Sequence, residues 1–432
     1  MIFLFSASAA FAQDLPFERY ELANGMQVVL HVDHSLPEVV VDVWYKVGSK
    51  DEISGRSGFA HLFEHLMFMG TERLPGSGFD QVMEAAGGWN NAWTMEDATN
   101  YFDVGPSNLL PTFLWMEADR MDALGRGMTK EKLDLQRDVV RNERRQSNED
   151  QPYGMVEIEL VTALYPPGHP YAHSVIGSHA DLEAASVTDV QDFFANWYVP
   201  NNASLVVAGD FDPAVVKPLI EQRFGWMASR PLPAREAPAP VTAPTKKRVQ
   251  ITDQVQFPQV NIAWPSTQNF AADDAELQLA ASLLSEGESS RLYRKLVVTG
   301  IAQEIGVTQY PLQYGGVFLI ESIPMDGHTV EEIDGIVRAE LDALGKTPPT
   351  PIEMERLKNG YGYAFYAGLQ PLGDRAEQLN RYAAYTGTPD YLAKDLARFR
   401  EATPEGISRA VATWLTEERA TRIIVLPEGE TK

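Results

Sequence analysis

The strongest constraint on the fold is that this 432-residue chain repeats itself. A Pro-led alternating segment, LPEVVVDVWYKVGS (36–49), returns as FPQVNIAWPS (257–266). An apolar helical stretch follows in each copy, GFAHLFEHLMFMG (58–70) and AELQLAASLLSEG (275–287), and then an amphipathic one, GSGFDQVMEAAGG against ESSRLYRKLVVTG. Next come two β-rich runs with a turn in the middle, WNNAWTMEDATNYFDV and IAQEIGVTQYPLQYGGVFLIESI, and two further helical patterns in each copy. NASLVVAGDF and ATRIIVLPEG close the copies as strands. An internal repeat of this length implies two copies of one supersecondary plan. Strand and helix blocks in that order predict an α+β fold of two homologous domains, each a sheet with helices packed on one face.

Between the copies, SRPLPAREAPAPVTAPTKK (229–247) carries five prolines and almost no bulky apolar side chains, the composition of a semi-rigid extended linker. The expected boundaries are a leader over 1–12, a first domain over 13–228, the linker, and a second domain over 248–432. The leader reading rests on an apolar run ending in the small-residue pattern Ala10-Phe11-Ala12, with cleavage before Gln13 and export to the periplasm. The alternative is a buried N-terminal strand. With no cysteine, an exported chain is stabilised by core packing and not by disulfides.

Hydrophobic residues at 44% and charged residues at 22% fit a folded, water-soluble chain. A formal net charge of -24 argues against nucleic-acid partners and anionic membrane surfaces, both of which reward clustered Lys and Arg. No later apolar run reaches the ~18 residues of a membrane-spanning helix.

Comparison of the copies isolates one anomaly. The first apolar helix holds His61, Glu64 and His65, and its counterpart has no histidine at all. The scaffold therefore does not need them. Residues at i and i+4 share a helix face, so His61 and His65 can offer two imidazole nitrogens to one ion, with Glu64 beside them. Zinc suits that donor set, and a neighbouring carboxylate can serve as general base toward a water attacking a carbonyl. The competing reading, two core histidines bonded to backbone carbonyls, requires buried partners within an apolar helix.

HLFEH is the inverted zinc motif H-x-x-E-H, and with it the chain resembles the pitrilysin-type (M16, inverzincin) zinc metallopeptidases of the short, processing-peptidase-like kind. GGWNNAWTMEDATNY, QRDVVRNERRQSNEDQPYG, HPYAHSVIG and WYVPNNASLVVAGDF extend the likeness over nearly the whole chain. The resemblance implies one zinc per chain, a clam-like chamber between the domains, and a third ligand from a later helix. Glu143 matches that ligand, ahead of Glu131 and Glu149, and its spacing from Leu135 and Val139 suggests an inward stripe. Its alternative is a solvated Glu in the charged run RNERRQ. Gln136 stands where relatives often carry a supporting acid. His169 and His173 lie in a Pro/Gly loop and are read as structural.

The resemblance also makes the edge strand at Asn91, Ala92 and Trp93 the element that pairs with an extended substrate. For any one of these residues, an ordinary sheet position is an equal alternative. Relatives use an Arg and a Tyr from a C-terminal half to hold the developing oxyanion. Here Gln303 replaces the Tyr and Leu296 or Val297 the Arg, while Arg291 and Tyr293 lie upstream at the wrong spacing. The expectation is a zinc endopeptidase subunit completed by a homologous Arg/Tyr-bearing partner in a heterodimer. The alternatives are a non-catalytic, metal-stabilised scaffold and a self-sufficient homodimer.

Overall fold

The computed structural model describes residues 15–429. The leader over 1–12 and the cleavage before Gln13 lie outside the described residues.

In the first half the strands are β1 (Glu18–Glu21), β2 (Gln27–Val32), β3 (Glu38–Tyr45), β4 (Trp89–Thr94), β5 (Thr99–Pro106) and β6 (Ala203–Gly209). The helices are α1 (Phe59–Leu66), α2 (Gly78–Ala85), α3 (Leu110–Ala123), α4 (Lys130–Arg144), α5 (Val156–Leu164), α6 (His179–Ala184), α7 (Val187–Trp197) and α8 (Pro213–Phe224). Residues 229–247 form neither helix nor strand.

The second half holds β7 (Arg248–Asp253), β8 (Gln259–Ser266), β9 (Ala302–Leu312), β10 (Gly315–Pro324) and β11 (Thr421–Pro427). Its helices are α9 (Asp274–Ser285), α10 (Val330–Lys346), α11 (Pro351–Ala367), α12 (Leu372–Thr386), α13 (Leu392–Glu401) and α14 (Pro404–Trp414).

The two mixed sheets share one plan. Their strand orders are β1-β2-β6-β3-β5-β4 and β7-β11-β8-β10-β9. In each, the closing strand (β6 or β11) runs parallel to an early strand (β2 or β7) and antiparallel to the Pro-led one (β3 or β8). In each, a hairpin completes the far edge. The repeat seen in the sequence is thus a repeat of topology, with β1 added to the first copy.

Each half packs its own helices on one face of its sheet, as expected, and the opposite faces are covered as well. β3 and β6 are buried along almost their whole length, as is β8, because runs such as VVVDVWY place β-branched or aromatic side chains on both faces. Such strands need two covers. Each half supplies its own helical layer on one face. The opposite face is covered by the other half: Leu369, Ala376 and Leu379, from α12 and the turn before it, pack on Val40, Val206 and Ala208. Reciprocally, Leu160 and Ala163 of α5 pack on Ala263 and Ile423. Each half therefore helps to build the core of the other. Among the described residues no helix is long and apolar enough to cross a membrane.

Candidate metal centre

α1 is anchored by its greasy side. Phe59, Ala60, Leu62, Phe63 and Leu66 are buried in the core of the first half. Burying each large apolar side chain contributes about 1.5–3 kcal/mol. Its N-terminus is clamped: Gly58 has φ 85°, and a Cβ there would lie 2.6 Å from the Ile176 carbonyl oxygen. The fully buried Glu52 carboxylate accepts the amides of Gly58 (3.0 Å) and Ala60 (2.7 Å), satisfying first-turn donors that have no helical partner.

The polar side of α1 faces α4. His61 and His65 stand edge to face with ring centroids 4.8 Å apart. Both Nε2 atoms turn to Glu143, at 3.6 Å for His61 and 3.2 Å for His65. One donor atom from each of the three residues falls within 4.8 Å of the others, a separation a single ion can bridge. Two neutral imidazoles and a carboxylate suit zinc.

The metal-free electrostatics follow from this packing. Burial pushes His61 down to about 4, against the opposing pull of Glu143. At His65 burial acts in the same direction, but the hydrogen bond and charge of Glu143, with Glu64 and Gln136, outweigh it and raise the group. Glu143 is held below the usual carboxylate range, first by its bond from His65. Glu64 is raised by burial and opposed by Thr94, whose hydroxyl donates to its Oε2 at 2.6 Å.

The register of α4 differs from the sequence reading. Leu135 and Val139 are 54% and 40% exposed, so they do not form an inward stripe. Leu133 and Val140 are the buried apolar positions, and Gln136 and Glu143 continue that face. The helix turns its 3.6-residue period so that i, i+3, i+7 positions meet α1. Gln136 donates to Met69 Sδ at 2.7 Å and helps to raise His65. Of the rival acids, Glu131 carries no burial, and Glu149 is occupied by Arg144 (3.0 Å) and His179 (2.9 Å).

His169 stacks on Tyr165 with centroids 4.6 Å apart, and His173 lies 3.5 Å from the helix-clamping Glu52. Neither joins the three-residue cluster. Arg291 is locked by Glu353 (2.8 and 2.9 Å) and Glu340 (3.2 Å) inside the second half. Gln303 donates to the Pro324 carbonyl at 3.2 Å.

β4 is the sheet edge and pairs with β5 alone among the described strands. Ala92 packs toward the α1 core, while Trp93 meets Trp44 edge-on at 4.9 Å and Asn91 is exposed. Thr94, two residues beyond Ala92, carries the bond to Glu64. The reading of Asn91, Ala92 and Trp93 stopped one residue short of it, although strand alternation places 92 and 94 on one face. Beyond Thr94 a cavity of about 460 Å³ opens, walled by Leu160, Val161, Leu312 and Leu319.

The chain is similar to known proteins over most of its length. Residues 27–177 fit the family described as Insulinase (Peptidase family M16), and residues 184–361 fit the Peptidase M16 inactive domain. The Zinc protease PqqE of Helicobacter pylori is 28% identical over 422 residues, spanning 95% of this chain and 93% of that protein. A protein named an uncharacterized zinc protease from Mycobacterium tuberculosis is 24% identical over 415 residues, with 95% and 93% covered. The crystal structure of a protease from Helicobacter pylori superposes with a TM-score of 0.86 at 27% identity, covering 95% of this chain and 100% of that one.

Proposed function

The chain belongs to peptidase family M16, and from that membership we propose that it is a zinc-dependent endopeptidase acting on extended oligopeptides or unfolded segments. The observation that carries the proposal is the convergence of His61, His65 and Glu143 beside Glu64. His61, His65 and Glu143 would hold one zinc ion. When bound, the ion supplies Lewis acidity that makes a water nucleophilic near neutral pH.

The remaining roles fall to side chains and backbone of this chain. Glu64 is the general base: Thr94 holds Oε2, leaving Oε1 to take the proton of the attacking water. Burial strengthens Glu64 as a proton acceptor. The free edge of β4, at Asn91, Ala92 and Trp93, seats an extended peptide by strand addition, which is largely blind to sequence. The cavity past Thr94 receives a side chain of that peptide. Gln136 steadies His65 and thereby the ligand geometry. A chamber closed by the two halves would exclude folded proteins.

The oxyanion is the incomplete element. Gln303 is bonded to backbone and Arg291 is neutralised by two carboxylates, which supports completion by a homologous Arg/Tyr-bearing subunit in a heterodimer. Export to the periplasm is proposed from the leader alone, and recovery of a chain starting at Gln13 from the periplasmic fraction tests it. A fluorogenic-peptide assay of the zinc-loaded chain, alone, with a candidate partner and with chelator, tests the function. Chelator-sensitive cleavage that needs the partner supports the proposal, cleavage by the chain alone supports the homodimer, and none under any condition leaves the scaffold reading.

A further inference from the structure

The two halves grip each other at the tip of the β4–β5 hairpin. Asp97, 5% exposed, sits in the turn between the strands. Its Oδ1 accepts the Tyr171 hydroxyl at 2.7 Å and lies 3.6 Å from Lys50 Nζ. Its Oδ2 accepts the Gln313 amide at 2.8 Å and the Tyr385 hydroxyl at 3.2 Å. Lys50 also donates to the Asp97 carbonyl at 2.7 Å. Gln313 lies in the turn joining β9 to β10 and Tyr385 on α12, so the second half contributes two of the donors on this carboxylate.

Neighbouring bonds tie the same tip across the same boundary. The Tyr310 hydroxyl of β9 donates to Glu96 at 3.2 Å. The Tyr171 hydroxyl, having donated to Asp97, accepts the Tyr314 amide at 3.1 Å.

Such a tie matters because β4 is held on one side only. An edge strand with a single ladder opens more readily than a central one, and any slackness would move both the backbone that pairs with substrate and the Thr94 hydroxyl on Glu64. Asp97 lies three residues beyond Thr94, on the chain that leaves β4. A buried carboxylate bonded by donors from both halves is costly to loosen, since release strands the charge and the donors together.

We infer that Asp97 is a positioning residue through which the second, motif-less half braces the β4 edge and keeps Thr94 on Glu64. This rests on the reading of β4 as the substrate edge and Glu64 as the base. The second half is then a structural arm of the first half's site.

The test compares Asp97→Asn and Tyr385→Phe with the parent in the full-length chain by hydrogen exchange with mass spectrometry, metal-free and zinc-loaded. Asp97→Asn is expected to lower protection of residues 89–98 about tenfold, the equivalent of one weakened charge-assisted hydrogen bond, while α3 and β6 keep theirs. Tyr385→Phe, which removes only a second-half donor, should loosen the same segment to a smaller degree and carries the test if Asp97→Asn does not fold. Zinc stoichiometry should stay at the parent value, and KM for an extended peptide should rise more than kcat falls. Unchanged protection of 89–98 in both variants overturns the inference, as does an even loss over the whole chain. A parent chain that cleaves no peptide either alone or with a candidate partner defeats the proposed function, whereas the exchange pattern still decides the brace.

Discussion

Replacing Glu143 by Gln should remove most of the zinc affinity. Its carboxylate is the anionic member of the cluster, 3.2 Å from His65 Nε2 and 3.6 Å from His61 Nε2. Four-ligand zinc sites are worth about 10–16 kcal/mol, so one ligand carries about 3 kcal/mol, and the expected weakening is about a hundredfold or more. The metal-free histidines should report the same change. Glu143 raises both groups, so its removal lets burial carry His61 below its already low value of about 4 and brings His65 down. In the parent protein the raised His65 lets protons compete with the metal as pH falls. In Glu143→Gln that competition should begin at lower pH, on a lower affinity plateau. Competition with a chromophoric chelator between pH 5 and 8, with histidine titration by NMR, measures both. Zinc bound with parental affinity at pH 8 would refute the assignment. Glu149→Gln, altering an acid already occupied by Arg144 and His179, should leave affinity unchanged.

Thr94→Val keeps the side-chain shape and removes the 2.6 Å bond to Glu64; kcat should fall about tenfold or more with zinc content intact, and Thr94→Ser should restore most of it. Asp42, buried between Asn380 (2.6 Å) and Asn100 (3.3 Å), is pushed up to about 8 by burial. The folded state therefore holds one more proton than the unfolded state between about pH 4 and pH 8, and stability should fall with rising pH there by up to about 1.4 kcal/mol per unit. Asp42→Asn should flatten that slope in urea unfolding measured at pH 5 and pH 8. A parent slope no steeper than the variant's would contradict the buried proton.

The fold was legible because repetition in the sequence doubled every weak local signal. The strands at 38–45 and 259–266 and the closing strands at 203–209 and 421–427 stand where alternation and β-branching put them. The exchange of covers between halves was not legible: nothing local to α5 or α12 says that its apolar side belongs to the other copy's sheet. The motif pair His61 and His65 was visible because the second copy lacks it. The face of α4 was misread because Leu135 and Val139 are apolar yet exposed, and hydrophobic spacing cannot tell a buried stripe from an exposed one. Thr94 and Asp97 escaped notice for a related reason. Each acts through a partner far away in sequence, at separations that periodicity does not report.

In the proposed function Glu64 performs chemistry at a zinc site it does not itself form. Zinc content and peptide turnover of Glu64→Gln, measured on one preparation, separate the two roles. The expected result is one zinc per chain, as in the parent, with cleavage of an extended fluorogenic peptide abolished under the conditions where the parent is active. Turnover at the parental rate with zinc bound would contradict it.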